Sequence, residues 1–124
     1  LRMSGCPLGG IGFVPGTEQP HPQTPAWLSR VTREIVPRLG PETMIVVEAL
    51  TYRSGMPSKE LGERRLALAR RLLVESGVPE AQIETRLREV EGQNPHGLDE
   101  GEYGFVNVGT RFPYVPPRPG QPVC

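Results

Sequence analysis

Several things are scarce in this sequence, and each scarcity removes a class of function. Charge of one sign is missing, because fourteen basic and fourteen acidic residues cancel. The long-range field that gathers nucleic acid or an anionic membrane surface is therefore absent, and neither is expected as a general partner. No apolar run approaches the ~20 residues that a membrane-spanning helix needs. Any membrane attachment would have to be covalent or through a partner. Only two histidines occur. His21 stands among prolines and His96 in a Gly- and Asn-rich stretch, with no cysteine or serine motif and no carboxylate pair at helical spacing beside either. Acid–base and nucleophilic catalysis thus have no visible machinery, and the chain reads as a non-enzyme. No glycine cluster follows a strand in a phosphate-cradling pattern, so no nucleotide or other cofactor is expected.

Cysteine is scarce as well. Cys6 and Cys124 bracket the chain, and their spacing gives no metal site. Three readings stand open: a disulfide joining the two ends in an oxidising compartment, a lipid-modified Cys6 within Met3-Ser4-Gly5-Cys6, or two unrelated thiols. The lipid reading requires a charged and then apolar stretch upstream, of which the sequence holds Leu1 and Arg2.

What is abundant is proline and glycine, fifteen of each, a level near that of low-complexity chains. They concentrate toward the ends. At 124 residues with 36% hydrophobic content the chain suits one core and not two. The division expected is a flexible N-terminal arm over 1–10, a folded domain over 11–108 and a proline-rich tail over 109–124. The tail segment from Phe112 to Pro119 is either a polyproline II segment ready for a partner or a disordered end.

Within the domain, Ile11 to Val14 reads as a short strand stopped by Pro15-Gly16. Thr24-Pro25 reads as a helix start, the hydroxyl capping a free amide. Leu28, Val31, Ile35 and Leu39 then share one helical face, with Pro37 weakening the last turn. Met44 to Leu50 is nearly continuous in apolar and β-branched residues, the pattern of a central strand. Ser58 caps a long helix that ends at Gly77. Leu61, Leu68 and Leu72, widened by Leu66, Ala69 and Leu73, form its apolar stripe, and Arg64, Arg65, Arg70 and Arg71 read as its solvated face. A helical turn at Pro79 to Gln82 leads to a strand over Ile83 to Val90. The stretch from Gly92 to Gly97 is loop, and Tyr103 to Val108 is the last strand. The order β-α-β-α-β-β predicts an α/β two-layer sandwich, a small mixed sheet with helices on one face.

The segment Val47-Glu48-Ala49-Leu50-Thr51-Tyr52, the helix opening Leu61-Gly62-Glu63-Arg64-Arg65-Leu66, the step Gly77-Val78 and the turn Gly92-Gln93-Asn94-Pro95 together resemble the OmpA C-terminal family. That family includes peptidoglycan-associated lipoproteins and flagellar stator domains. Its corresponding patterns are V-E-G-H-T-D, L-S-x-x-R-A, G-V and G-E-x-x-P. The resemblance spans most of the domain through the order and spacing of these pieces. It implies an OmpA-like sandwich in the bacterial periplasm that binds peptidoglycan by gripping diaminopimelate, an aspartate taking the ammonium group and an arginine the carboxylate.

Carried over by position, the aspartate falls on Tyr52 and the arginine on Arg65, with Thr51 and Arg64 beside them. Tyr52 cannot hold an ammonium ion by charge. Ala49 and Leu50 replace the family's glycine and histidine, Ser58 stands near its asparagine, and Tyr103-Gly104-Phe105-Val106 replaces its N-R-R-V. Glu48 is a substitute acid only if strand alternation does not turn it away. The expected role is a structural module of an envelope assembly, such as a secretion or conjugation apparatus, with a degenerate pocket and other envelope proteins as partners. The alternative is a working peptidoglycan-binding lipoprotein of the outer membrane, anchored at Cys6, with an altered diaminopimelate site. Trp27 is expected to be a core anchor or an interface residue.

Overall fold

The computed structural model describes residues 2–94 and 105–121. Among these residues, five strands and two α-helices form a mixed α/β sandwich: β1 (Met3–Ser4), β2 (Pro7–Gly12), α1 (Thr24–Arg30), β3 (Met44–Tyr52), α2 (Lys59–Glu75), β4 (Ile83–Val90) and β5 (Phe105–Pro113). The strand order is β2-β5-β3-β4, with β1 pairing the far end of β5. β3 and β4 run parallel across the α2 crossover, and every other pairing is antiparallel.

The apolar run at Met44 places β3 at the centre of the sheet. Ile45, Val47, Ala49 and Thr51 are buried, while Met44, Val46, Glu48, Leu50 and Tyr52 alternate onto the other face and are half-buried. The buried set meets Leu66, Ala69 and Leu73 of α2, Leu28 of α1, and Val106 and Val108 of β5 in one core. At the start of α2, Ser58 Oγ accepts a hydrogen bond from the Leu61 amide at 3.2 Å, a cap worth ~1 kcal/mol. At its end Gly77 has a φ of 107°, a left-handed stop that a side chain would resist. The turn at Glu80–Gln82 and the strand at Ile83–Val90 fall where the sequence places them.

Five expectations change. Residues 1–10 were to be a free arm, yet Met3–Ser4 and Pro7–Gly12 are strands on β5. Glycine and proline are weak strand formers, so this pairing is imposed by β5 and is invisible locally. Gly9 shows why glycine is used: its φ is 129°, and a Cβ there would come within 2.9 Å of Trp27 Nε1. The first strand accordingly ends at Gly12 instead of Val14, and Phe13 pairs with Pro20 in an isolated bridge.

The tail expected from residue 109 is strand as far as Pro113, with Met3 opposite Pro113. The Tyr114 amide donates to the Arg2 carbonyl at 2.9 Å, and the Arg2 guanidinium lies over the Tyr114 ring. Of the strand expected over Tyr103 to Val108, residues 103 and 104 lie outside the described residues, as do Pro95, His96 and Gly97.

The first helix does not run unbroken to Leu39. After Arg30 it widens into a π turn over Val31–Ile35, closed by the Val36 amide on the Val31 carbonyl, and then tightens into a 3₁₀ turn over Val36–Arg38. Pro37 has no amide for the carbonyl four residues back, so the ladder must shift there.

Thr24, finally, is not the cap of α1. It is the first helical residue, and the cap position is Gln23, which makes no side-chain capping bond.

Candidate functional site

The positions that the family resemblance singles out lie at the carboxyl end of β3 and in the first turns of α2, with the loop at 13–20 packed over Arg65. Arg65 lies in the middle of them and is not on a solvated face: it is 2% exposed. Its Nε donates to the Thr17 carbonyl at 2.8 Å and its Nη2 to the Val14 carbonyl at 3.5 Å. The guanidinium lies 5.0 Å from the centroid of the Phe13 ring, a cation–π contact that strengthens as water is excluded. A charge costs several kcal/mol to bury unless its hydrogen bonds are met. The loop at 13–20 meets them with its backbone.

That loop is folded to do so. The Val14 amide donates to the Gln19 carbonyl, and the Thr17 amide to the Val14 carbonyl. Gly16 turns the chain with a φ of 73°, and the Thr17 hydroxyl donates back to the Val14 carbonyl at 2.8 Å. Arg64, unlike Arg65, is exposed, and its Nε contacts Glu18 Oε1 at 3.2 Å. Both arginines therefore fasten the same loop, one from inside and one from the rim.

Burial of Arg65 had a sequence signal. Leu61, Arg65, Ala69 and Leu73 repeat at four-residue steps, and all four are buried. The stripe runs through the arginine, while Leu68 and Leu72, expected at its centre, lie half-buried at the margin. Counting leucines shifted the stripe, whereas the i, i+4 series places it correctly.

The other three positions do not assemble a ligand-reading site with Arg65. Thr51 is fully buried beneath α2, its hydroxyl 3.5 Å from the Arg88 carbonyl and its methyl against Gly62. Tyr52 is half-buried and alternates onto the face opposite α2, so the residues standing for the family's acid and base point to different sides of the sheet. Glu48 shares Tyr52's face and lines a shallow groove with Gly5, Cys6 and Asn107, so it does not substitute as the acid. Cys6 itself is disulfide-bonded. Its sulfur is thereby committed, which removes the lipid thioether from this structure. The chain's other cysteine, Cys124, lies outside the described residues.

Beyond β3, the loop at 53–57 is tied down from several directions. The Tyr52 amide donates to the Pro57 carbonyl, the Arg53 amide to the Val90 carbonyl and the Ser54 amide to the Gly92 carbonyl. Asn94, 7% exposed, donates from Nδ2 to the Met56 carbonyl at 3.0 Å. A buried amide at a loop end gives no periodic signal, and its role was not legible from the sequence. Arg53 hydrogen-bonds Glu89 and lies beside Glu91, which together raise its already high pKa. This rim thus spends its charges on itself.

Comparison with known proteins follows the same line. No family model matches the sequence, and no curated protein matches it. Among solved structures the chain is similar to the C-terminal domain of Helicobacter pylori MotB, with a TM-score of 0.58 and 19% identity, covering 82% of this chain and 81% of that one. The periplasmic domain of the same protein gives a TM-score of 0.57 at 14% identity, covering 87% and 80%. At such identities the likeness establishes the fold.

Proposed function

We propose that this OmpA-like domain is a non-catalytic structural module of a bacterial cell-envelope assembly, such as a secretion or conjugation apparatus, whose ancestral peptidoglycan pocket is closed from within. The observation that carries this reading is the state of Arg65. An arginine that reads a carboxylate must present its fork to solvent, and here Nε is engaged by the Thr17 carbonyl in a site 2% exposed. The fold likeness to the periplasmic domain of Helicobacter pylori MotB supports a periplasmic setting. The paired chain ends, with Met3 and Val115 exposed, are the surface offered to partner proteins of the assembly.

Co-sedimentation with purified sacculi tests the proposal. The intact protein is expected to stay in the supernatant at physiological salt, and Arg65→Lys, checked for folding by circular dichroism, to behave identically. Retention of the intact protein on sacculi, lost in folded Arg65→Lys, would establish the competing reading of a working peptidoglycan binder.

A further inference from the structure

A cleft of about 250 Å³ opens between β2 and α1. Gly10 and Gly12 form its floor, and His21, Gln23, Thr24 and Trp27 its walls. One backbone bond fixes the walls to the strand, the His21 amide donating to the Gly12 carbonyl at 2.8 Å, and a second joins wall to wall, the Thr24 amide donating to the His21 carbonyl at 2.9 Å. A Cβ at Gly12 would lie 3.6 Å from His21 Cβ, against the cleft's wall.

The polar groups around the cleft are not used by the fold. Gln23 occupies the cap position of α1 without making a side-chain capping bond. Thr24 is 6% exposed, and its hydroxyl makes no hydrogen bond among the described residues. Trp27 is half-buried, with its indole leaning on Gly9. His21 is exposed at the mouth.

This lining has a definite chemistry. It combines one indole with an amide, a hydroxyl and an imidazole, and it contains no Lys, Arg, Asp or Glu. A phosphate or carboxylate ligand would call for fixed positive charge, and a purely apolar ligand would leave the amide and hydroxyl unmet. A neutral ring bearing hydroxyls on its edge and C–H groups on its faces satisfies both halves. The volume lies just under the ~300–1,000 Å³ of drug-sized pockets, room for one such ring in an open cleft. We propose that this cleft binds a single ring of a neutral glycan, Trp27 supplying the apolar contact and Gln23 and Thr24 the hydrogen bonds. The inference does not rest on the envelope role or on Arg65.

Trp27 is the only tryptophan in the chain, so intrinsic fluorescence reports on the cleft directly. Titration of the intact protein with N,N′,N″-triacetylchitotriose and, separately, with maltotriose is expected to give a saturable change in emission with at least one of them. Gln23→Ala and Thr24→Val, each folded by circular dichroism, should weaken that binding about tenfold, equivalent to ~1.4 kcal/mol. Absence of a saturable change with both trisaccharides, or unchanged affinity in both variants, would overturn the proposal. Neither sugar carries a stem peptide, so the outcome is independent of the sacculus experiment.

Discussion

Replacing Arg65 with alanine is expected to destabilise the domain by about 3–5 kcal/mol. Truncation empties the space beneath Phe13 and leaves the Thr17 carbonyl without its 2.8 Å donor. Large-to-small changes in a packed site cost ~2–5 kcal/mol, and the lost hydrogen bond from a charged donor adds ~1.5–3 kcal/mol. Because the loop at 13–20 is held partly by this side chain, its relaxation recovers some of the sum. For a domain near this size the melting temperature should fall by roughly 10 °C or more. Arg65→Met, which keeps apolar volume over Phe13 but donates nothing, should fall between alanine and the parent. If Arg65 were a solvated ligand reader, alanine would change stability by no more than ~0.5 kcal/mol, as at ordinary surface positions. Thermal and urea denaturation followed by circular dichroism distinguish the two.

Gly62→Ala carries the second large effect, and its sign opposes helix propensity. In an exposed helix the change would gain ~1 kcal/mol. Here the new Cβ would overlap the Thr51 methyl and approach Leu87 Cδ1 within 3.1 Å. Thr51 is fully buried on the central strand, and its β-branched side chain is stiff at χ1 and does not swing aside freely. Overpacking of this kind costs ~1–3 kcal/mol, so net destabilisation of about 1–2 kcal/mol is expected by urea denaturation. Thr51→Ser removes the obstructing methyl. The double variant Thr51→Ser, Gly62→Ala should therefore be more stable than Gly62→Ala alone, a favourable coupling that neighbouring residues show and distant ones do not. Equal losses with and without Thr51 would mean that α2 is not seated on β3 through this glycine.

The elements legible in the sequence are those specified by their own residues. The β-branched run at Met44 fixed the central strand, Ser58 and Gly77 bounded α2, and Pro79 announced the turn before β4. Each depends on short-range chemistry that a sequence displays. β1 and β2 do not: Pro7-Leu8-Gly9-Gly10 has no strand propensity, and its conformation is set by β5, about a hundred residues away. The π turn at Val31–Ile35 was half legible, since Pro37 marks where the ladder breaks but not how the break is absorbed. The site shows the same division. The family resemblance singled out Arg65, Thr51 and Tyr52 along the chain, but which side of the sheet each faces follows from register and twist. The carbonyls that engage Arg65 belong to a loop about fifty residues earlier, and backbone carbonyls carry no sequence signature. The disulfide at Cys6 was one of three open alternatives, because two cysteines in a sequence do not by themselves say whether their sulfurs are bonded.

The most direct test of the closed pocket is the Arg65 side chain observed by ¹⁵N-resolved NMR. A guanidinium Nε–H bonded to the Thr17 carbonyl and 2% exposed should exchange slowly with water and give a sharp signal at neutral pH, absent from Arg65→Lys. That signal should keep its position when a stem peptide containing diaminopimelate is added to millimolar concentration. Rapid exchange with water together with a saturable shift on adding the peptide would show Arg65 to be open to ligand and would contradict the closed pocket.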